Sequence, residues 1–136
     1  MEIVTRTCVA YIAGLLISGE KRFALRDHDR KKVVFLDGLV DNNEVKIYSH
    51  ERNGYVSGLG DSGRYMLYQH GGQGTLTLNV DVVERHFKGC DHRSGFHFFG
   101  NMADDGVSLF DYQDVKWHRF TLERSASNNG PPAATE

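Results

Sequence analysis

The sequence predicts an all-β domain built from tandem antiparallel β-hairpins of about 20–22 residues that close into a barrel. Three observations carry this. Both prolines, Pro131 and Pro132, lie near the C-terminus, while residues 1–124 hold 14 of the 15 glycines, which break up short runs rich in Val, Tyr and Phe. No window of about 12 residues carries a convincing apolar stripe of helical period. Similar six-residue segments recur at nearly constant spacing.

The 136 residues, 40% of them hydrophobic, suit one domain with a real core. Sixteen basic residues against 18 acidic ones leave a net charge of −2, which argues against an electrostatic grip on nucleic acid or an anionic membrane. Cys8 and Cys90 are too few for a disulfide-stapled scaffold, and the sequence leaves open whether they pair. The apolar stretch 8–17 has about half the length a membrane span needs and reads as folded chain, not signal peptide. Residues 125–136, mostly Ser, Asn, Ala and Gly, read as a disordered tail after a single domain of residues 1–124.

Val45-Lys46-Ile47-Tyr48-Ser49-His50 overlays Val107-Ser108-Leu109-Phe110-Asp111-Tyr112 at an offset of 62, and Gly38 with Gly100 and Tyr55 with Trp117 follow the same offset. Segments starting at Phe23, Tyr65 and Phe87 fit the same frame, so the starts fall at 23, 45, 65, 87 and 107. Each copy is a strand, a polar turn (29–32, 51–54, 71–74, 93–95, 113–116) and a return strand, with Asn53-Gly54 suited to a two-residue hairpin loop.

The steps alternate between 22 and 20, and moving back 42 from Val45 reaches residues 3–8, a degenerate sixth copy. Lone hairpins are marginal in water, so the copies must share a core and shield one another's edges. Six hairpins make 12 strands in three super-periods of 42, the arithmetic of a β-trefoil, which is the favoured architecture. The alternative is an up-and-down hairpin meander forming a sandwich or barrel. Gly63-Arg64-Tyr65-Met66-Leu67 resembles the Gly-Lys/Arg-Tyr-Leu strand of trefoil families, and the segment from Trp117 to Leu122 resembles their closing strand. The Gln-x-Trp signature of ricin-like lectins is absent, so none of their sugar-binding residues carries over.

Strand alternation puts Val45 and Ile47, Val107 and Leu109, Tyr65 and Leu67, and Phe23 and Leu25 in one aliphatic column facing the core. The residues ending that column, Asp27, Ser49, Gln69, Asp91 and Asp111, can bond turn amides. The next position forms a slot: His28, His50, His70 and His92, with Tyr112 in the fifth copy. Imidazole is a common metal ligand, yet a tyrosine in the same slot and the spacing of symmetry-related positions favour packing or a solvated rim. The basic run over residues 20–32 reads as a solvated hairpin tip.

Gly60-Asp61-Ser62-Gly63 is similar to the nucleophile loop of chymotrypsin-like proteases over four residues only, and a Gly-rich turn accounts for it. No zinc, phosphate-loop or dinucleotide spacing is present, so no catalytic, metal or cofactor set is assigned. The expected function is a non-enzymatic binding or scaffold module that recognises a glycan or protein through loops and the repeated positions Tyr48, His50, Tyr68, His70, His92, Tyr112 and Trp117. A small His-dependent metal-binding protein or hydrolase, and a self-assembling structural subunit, are the alternatives.

Overall fold

The computed structural model describes residues 1–72 and 74–124. The expected tail, 125–136, lies outside the described residues. Helix α1 (Ile3–Ser18) comes first. Five hairpins follow: β1 (Ala24–Asp27) with β2 (Lys32–Val40), β3 (Glu44–Ser49) with β4 (Gly54–Asp61), β5 (Arg64–Gln69) with β6 (Thr75–Asp81), β7 (His86–Asp91) with β8 (Phe96–Ala103), and β9 (Gly106–Asp111) with β10 (Lys116–Leu122). Each strand pairs antiparallel with its neighbours in chain order, and β1 pairs with β10 to close the barrel, Leu25 opposite Leu122. The up-and-down meander is therefore the observed topology. The trefoil expectation required 12 strands divided between a barrel and a cap, whereas all ten described strands stand in one wall.

The sixth copy expected at residues 3–8 is not a hairpin but the first half of α1. Its physical reason is enclosure. From Cys8 to Leu15 every residue is buried, so the helix is apolar all round and shows no amphipathic stripe. It fills the lumen, packed against the inward side chains of the wall in one cluster that includes Val45, Ile47, Leu67, Leu78, Leu109 and Leu122. Gly14 lets it approach the wall closely: a Cβ there would meet Leu122 Cδ1 at 3.0 Å and Val107 Cγ2 at 3.2 Å. Gly19, in the left-handed conformation with φ 72°, ends the helix and donates its N–H to the Leu15 carbonyl. No helix among the described residues is long and apolar enough to cross a membrane.

The aliphatic column is the core, as the alternation predicts, with one exception. Phe23 precedes β1 and is 37% exposed, while Ala24 and Leu25 are both buried.

The column-ending residues point inward and are buried. Asp27 Oδ1 accepts the Asp29 and Arg30 amides, Asp91 Oδ1 that of Arg93, Asp111 Oδ1 that of Gln113, and Ser49 Oγ that of Arg52. The Gln69 side-chain oxygen accepts a 2.6 Å bond from Thr5 of α1. Four residues beyond the aspartate or serine the chain takes positive φ, at Lys31, Asn53, Gly95 and Val115. The Asn53 amide returns to the Ser49 carbonyl, so this tip is a four-residue loop instead of the two-residue turn expected. At the opposite end Ser62 and Gly63 both have positive φ and make the tight turn between β4 and β5.

Polar residues of α1 meet this ring of tips. Besides Thr5, Arg6 reaches Asp114 at 3.4 Å and Thr7 lies 3.5 Å from Glu51. His118 ties the first tip to the last, with Nδ1 against the Asp29 carboxylate and Nε2 2.8 Å from Asp114. Burial works against ionisation of Glu51, yet Arg30 and Lys32 outweigh it and hold its carboxyl below the usual range. The basic run is thus not uniformly solvated. Arg22 is buried, its guanidinium spanning Glu20, Asp105 and the Leu122 carbonyl beneath the far end of the barrel.

Candidate functional site

With the lumen occupied, the outward side chains are what the barrel offers to a partner. One rung of the wall runs Asn79, Lys88, Phe99, Phe110, Trp117 across β6 to β10, each paired with the next. Phe99 and Phe110 lie 5.4 Å apart, and Trp117 stands at 5.5 Å from Phe99 and 5.4 Å from Phe110. Tyr112, one tip higher, contacts Phe110 at 5.1 Å and Phe99 at 5.7 Å. These are tilted and edge-on contacts, the arrangement aromatic quadrupoles favour. About half the surface of Tyr112 and of Trp117 remains exposed.

Beside this cluster lies a groove of about 710 Å³, whose walls include Phe96, Phe99 and Tyr112 and whose polar lining is Thr77, Asn79, Lys88 and His97. Among the described residues no carboxylate lines it. Lys88 is the lysine in this lining. Cys90 also faces the groove, opposite His97 on β8. Cys8 lies within the lumen, and both thiols are free.

The seven residues singled out from sequence do not converge on one point. Tyr112 and Trp117 join the cluster just described. Tyr48 and His50 make a second group with Tyr55, each ring 5.0 Å from that of Tyr48, and the Tyr48 hydroxyl bonds Asn53. His70 pairs with Ser57 at 2.7 Å, and Tyr68 lies on the wall opposite Ser57 and Thr75. His92 is exposed at the fourth tip.

The slot has one geometry throughout. The amides of His28, His50, His70, His92 and Tyr112 bond the carbonyls of Arg119, Phe35, Tyr55, Thr75 and His97 in the preceding hairpin around the barrel. Four of the slot side chains also have a partner two residues beyond that carbonyl: Thr121 for His28, Asp37 for His50, Ser57 for His70 and the Phe99 ring for Tyr112. The slot thus distributes its rings around the girdle, one per hairpin. Among the described residues no three His, Cys, Asp or Glu side chains come together to hold a metal ion. Ser62 sits in the β4–β5 turn with its hydroxyl on Asp61, and no histidine is bonded to it.

Sequence reasoning missed Lys88, His97 and Phe99. Lys88 falls inside the overlaid segment that starts at Phe87 but holds an outward position there, His97 and Phe99 lie on the return strand β8 outside the overlay, and strand pairing sets all three beside Tyr112. Phe110 was legible, since it overlays Tyr48 at the offset of 62.

Comparison with family models, curated proteins and solved structures gave no match to this chain.

Proposed function

We propose that the protein is a non-enzymatic recognition module that binds a saccharide in the wall groove between Lys88, His97, Phe99 and Tyr112. The observation that supports it is the half-exposed aromatic cluster bordering a concave strip of hydrogen-bonding groups. A flat pyranose face presents C–H groups to an aromatic ring, while its hydroxyls need donors and acceptors at the edge. Thr77, Asn79, Lys88 and His97 supply them. The site stands on paired strands, so its side chains are held before the ligand arrives.

A lysine and, among the described residues, no carboxylate in the lining favour an acidic sugar over a neutral one. The outward rows also carry Arg26, Lys46, Arg64 and Arg119 along the wall, which suits a water-facing barrel exterior better than the apolar band of a lipid-facing one.

Trp117 is the sole tryptophan and its ring packs against Phe99, so its emission reports on the groove. Titration with trigalacturonate and with cellotriose is expected to shift that emission, more strongly for the uronate. Phe99→Ala and Tyr112→Ala are expected to weaken binding at least about tenfold, the loss of one stacked ring. An emission unchanged by either sugar, with no heat by calorimetry, would reject this reading.

A further inference from the structure

The groove at Lys88 has a counterpart elsewhere on the wall. A second groove, of about 580 Å³, is lined by Glu44, Lys46, Tyr55, Ser57, Gly58, Leu59 and His70. Adding 42 to Lys46, Tyr55, Ser57 and His70 gives Lys88, His97, Phe99 and Tyr112, the four residues that define the first groove. The correspondence is structural as well as numerical. Lys46 pairs with Ser57 across β3 and β4 as Lys88 pairs with Phe99 across β7 and β8. The slot residue donates its amide to Tyr55 in one case and to His97 in the other.

The glycine that follows Ser57 and Phe99 repeats too. Gly58 and Gly100, again 42 apart, each pass so close to the next strand that a Cβ would lie 2.0 Å from the Met66 carbonyl oxygen or 2.1 Å from that of Ser108. Such glycines let two backbones approach where a side chain would hold them apart, and this close approach falls at the same place in both hairpins.

We infer that the Lys46, Tyr55, Ser57 and His70 groove is a second binding site for the same acidic saccharide, two hairpins around the barrel from the first, an inference that rests on the reading of the first groove given above. It keeps a lysine, a ring to stack on and a hydrogen-bonding slot residue. It is the weaker site for two reasons. Glu44 lies at its end and repels a carboxylate, and Lys46 already sits 5.8 Å over the Tyr55 ring that the sugar would cover.

A third groove, at the next hairpin, lacks the platform. Residues 62 beyond Lys46, Ser57 and Gly58 are Ser108, Arg119 and Phe120, and with His28 and Thr121 they line about 350 Å³ in which the described residues include no outward Phe, Tyr or Trp, since Trp117 has joined the Phe99 cluster. It has neither the lysine nor the close-approach glycine, and it is expected to stay empty.

The test is calorimetry with trigalacturonate on the whole chain, read beside Trp117 emission. Two binding events per chain are expected, at least about tenfold apart in affinity, with the emission following only the tighter one. Lys46→Ala should remove the weaker event and leave the tighter one and the melting temperature unchanged. Tyr112→Ala should weaken the tighter event and leave the weaker one. A single event that moves the emission and is indifferent to Lys46→Ala would overturn the second site while the first stands. No event with either the native chain or Lys46→Ala would overturn both.

Discussion

The hydroxyl of Tyr11, at the middle of the enclosed helix, donates to the backbone carbonyl of Arg22, in the segment that leads from α1 into β1. The Leu36 carbonyl of β2 lies 3.4 Å from the same oxygen. One buried phenol therefore fixes the helix, the strap that follows it and the start of the wall. Tyr11→Phe keeps the ring and loses the bond, leaving buried carbonyls without that donor. A loss of about 1–2 kcal/mol is expected, seen as a melting temperature lowered by several degrees. An unchanged melt would show that the hydroxyl is not what pins the helix.

Burial inside the lumen pushes the Cys8 thiol up to about 12, against the small opposing pulls of Arg52 and Ser49. The Tyr11 phenol is raised as well, mainly by burial. An acid whose folded pKa is raised keeps its full contribution below the unfolded value. That contribution falls once the unfolded chain ionises and the folded one does not. Stability should therefore decline above pH 9, by about 1.4 kcal/mol per unit for Cys8 alone until about pH 12. Denaturant titrations between those pH values check this, and Cys8→Ala should flatten the slope below pH 10. A thiol reagent should label Cys90 in the native protein and Cys8 only after unfolding.

Gly58 and Gly100 are each expected to resist any side chain, because the added carbon would meet a backbone carbonyl oxygen, and at Gly100 the buried Phe87 ring as well. Gly100→Ala should cost about 3 kcal/mol and the double variant with Gly58→Ala should fail to fold at 37 °C. Chemical denaturation of the single variant decides it, and a loss below about 0.5 kcal/mol would mean that the strands need no such close approach.

Val115 occupies the left-handed position of the last tip, with φ 55° and its side chain in solvent. A β-branched residue there is strained by about 1–2 kcal/mol. Asn53 holds the corresponding place in the second tip at φ 61°. Val115→Asn should stabilise the protein by about 1 kcal/mol without altering saccharide binding, and a lowered melting temperature would contradict the strain.

The hairpins were legible because their signal is local. Alternation around Ile47, Leu67 and Leu109 identifies the inward face, and turn-forming residues after Asp27, Ser49, Asp91 and Asp111 mark the tips. The helix was hidden for the opposite reason. A surface helix betrays itself by a polar side, and α1 from Cys8 to Leu15 has none, since the wall surrounds it. Its first six residues then passed for a sixth hairpin copy, which supplied the 12 strands of a trefoil. Tyr112 and Trp117 were found through the overlay, while Phe99, Lys88 and His97 depend on which strands lie side by side, information that pairwise offsets along β3 and β9 do not hold.

The barrel is sealed by β1 against β10, Leu25 meeting Leu122, with α1 already inside. A finished ring of hydrogen-bonded strands offers no gap through which a 16-residue helix could be threaded afterwards. The earliest part of the chain must therefore be wrapped by the sheet as it grows, and the last hairpin locks it in. Folding is bound to wait on a contact between opposite ends of the sequence, which makes it slow for a protein of this size and leaves the incomplete sheet with two bare margins until the final strand arrives.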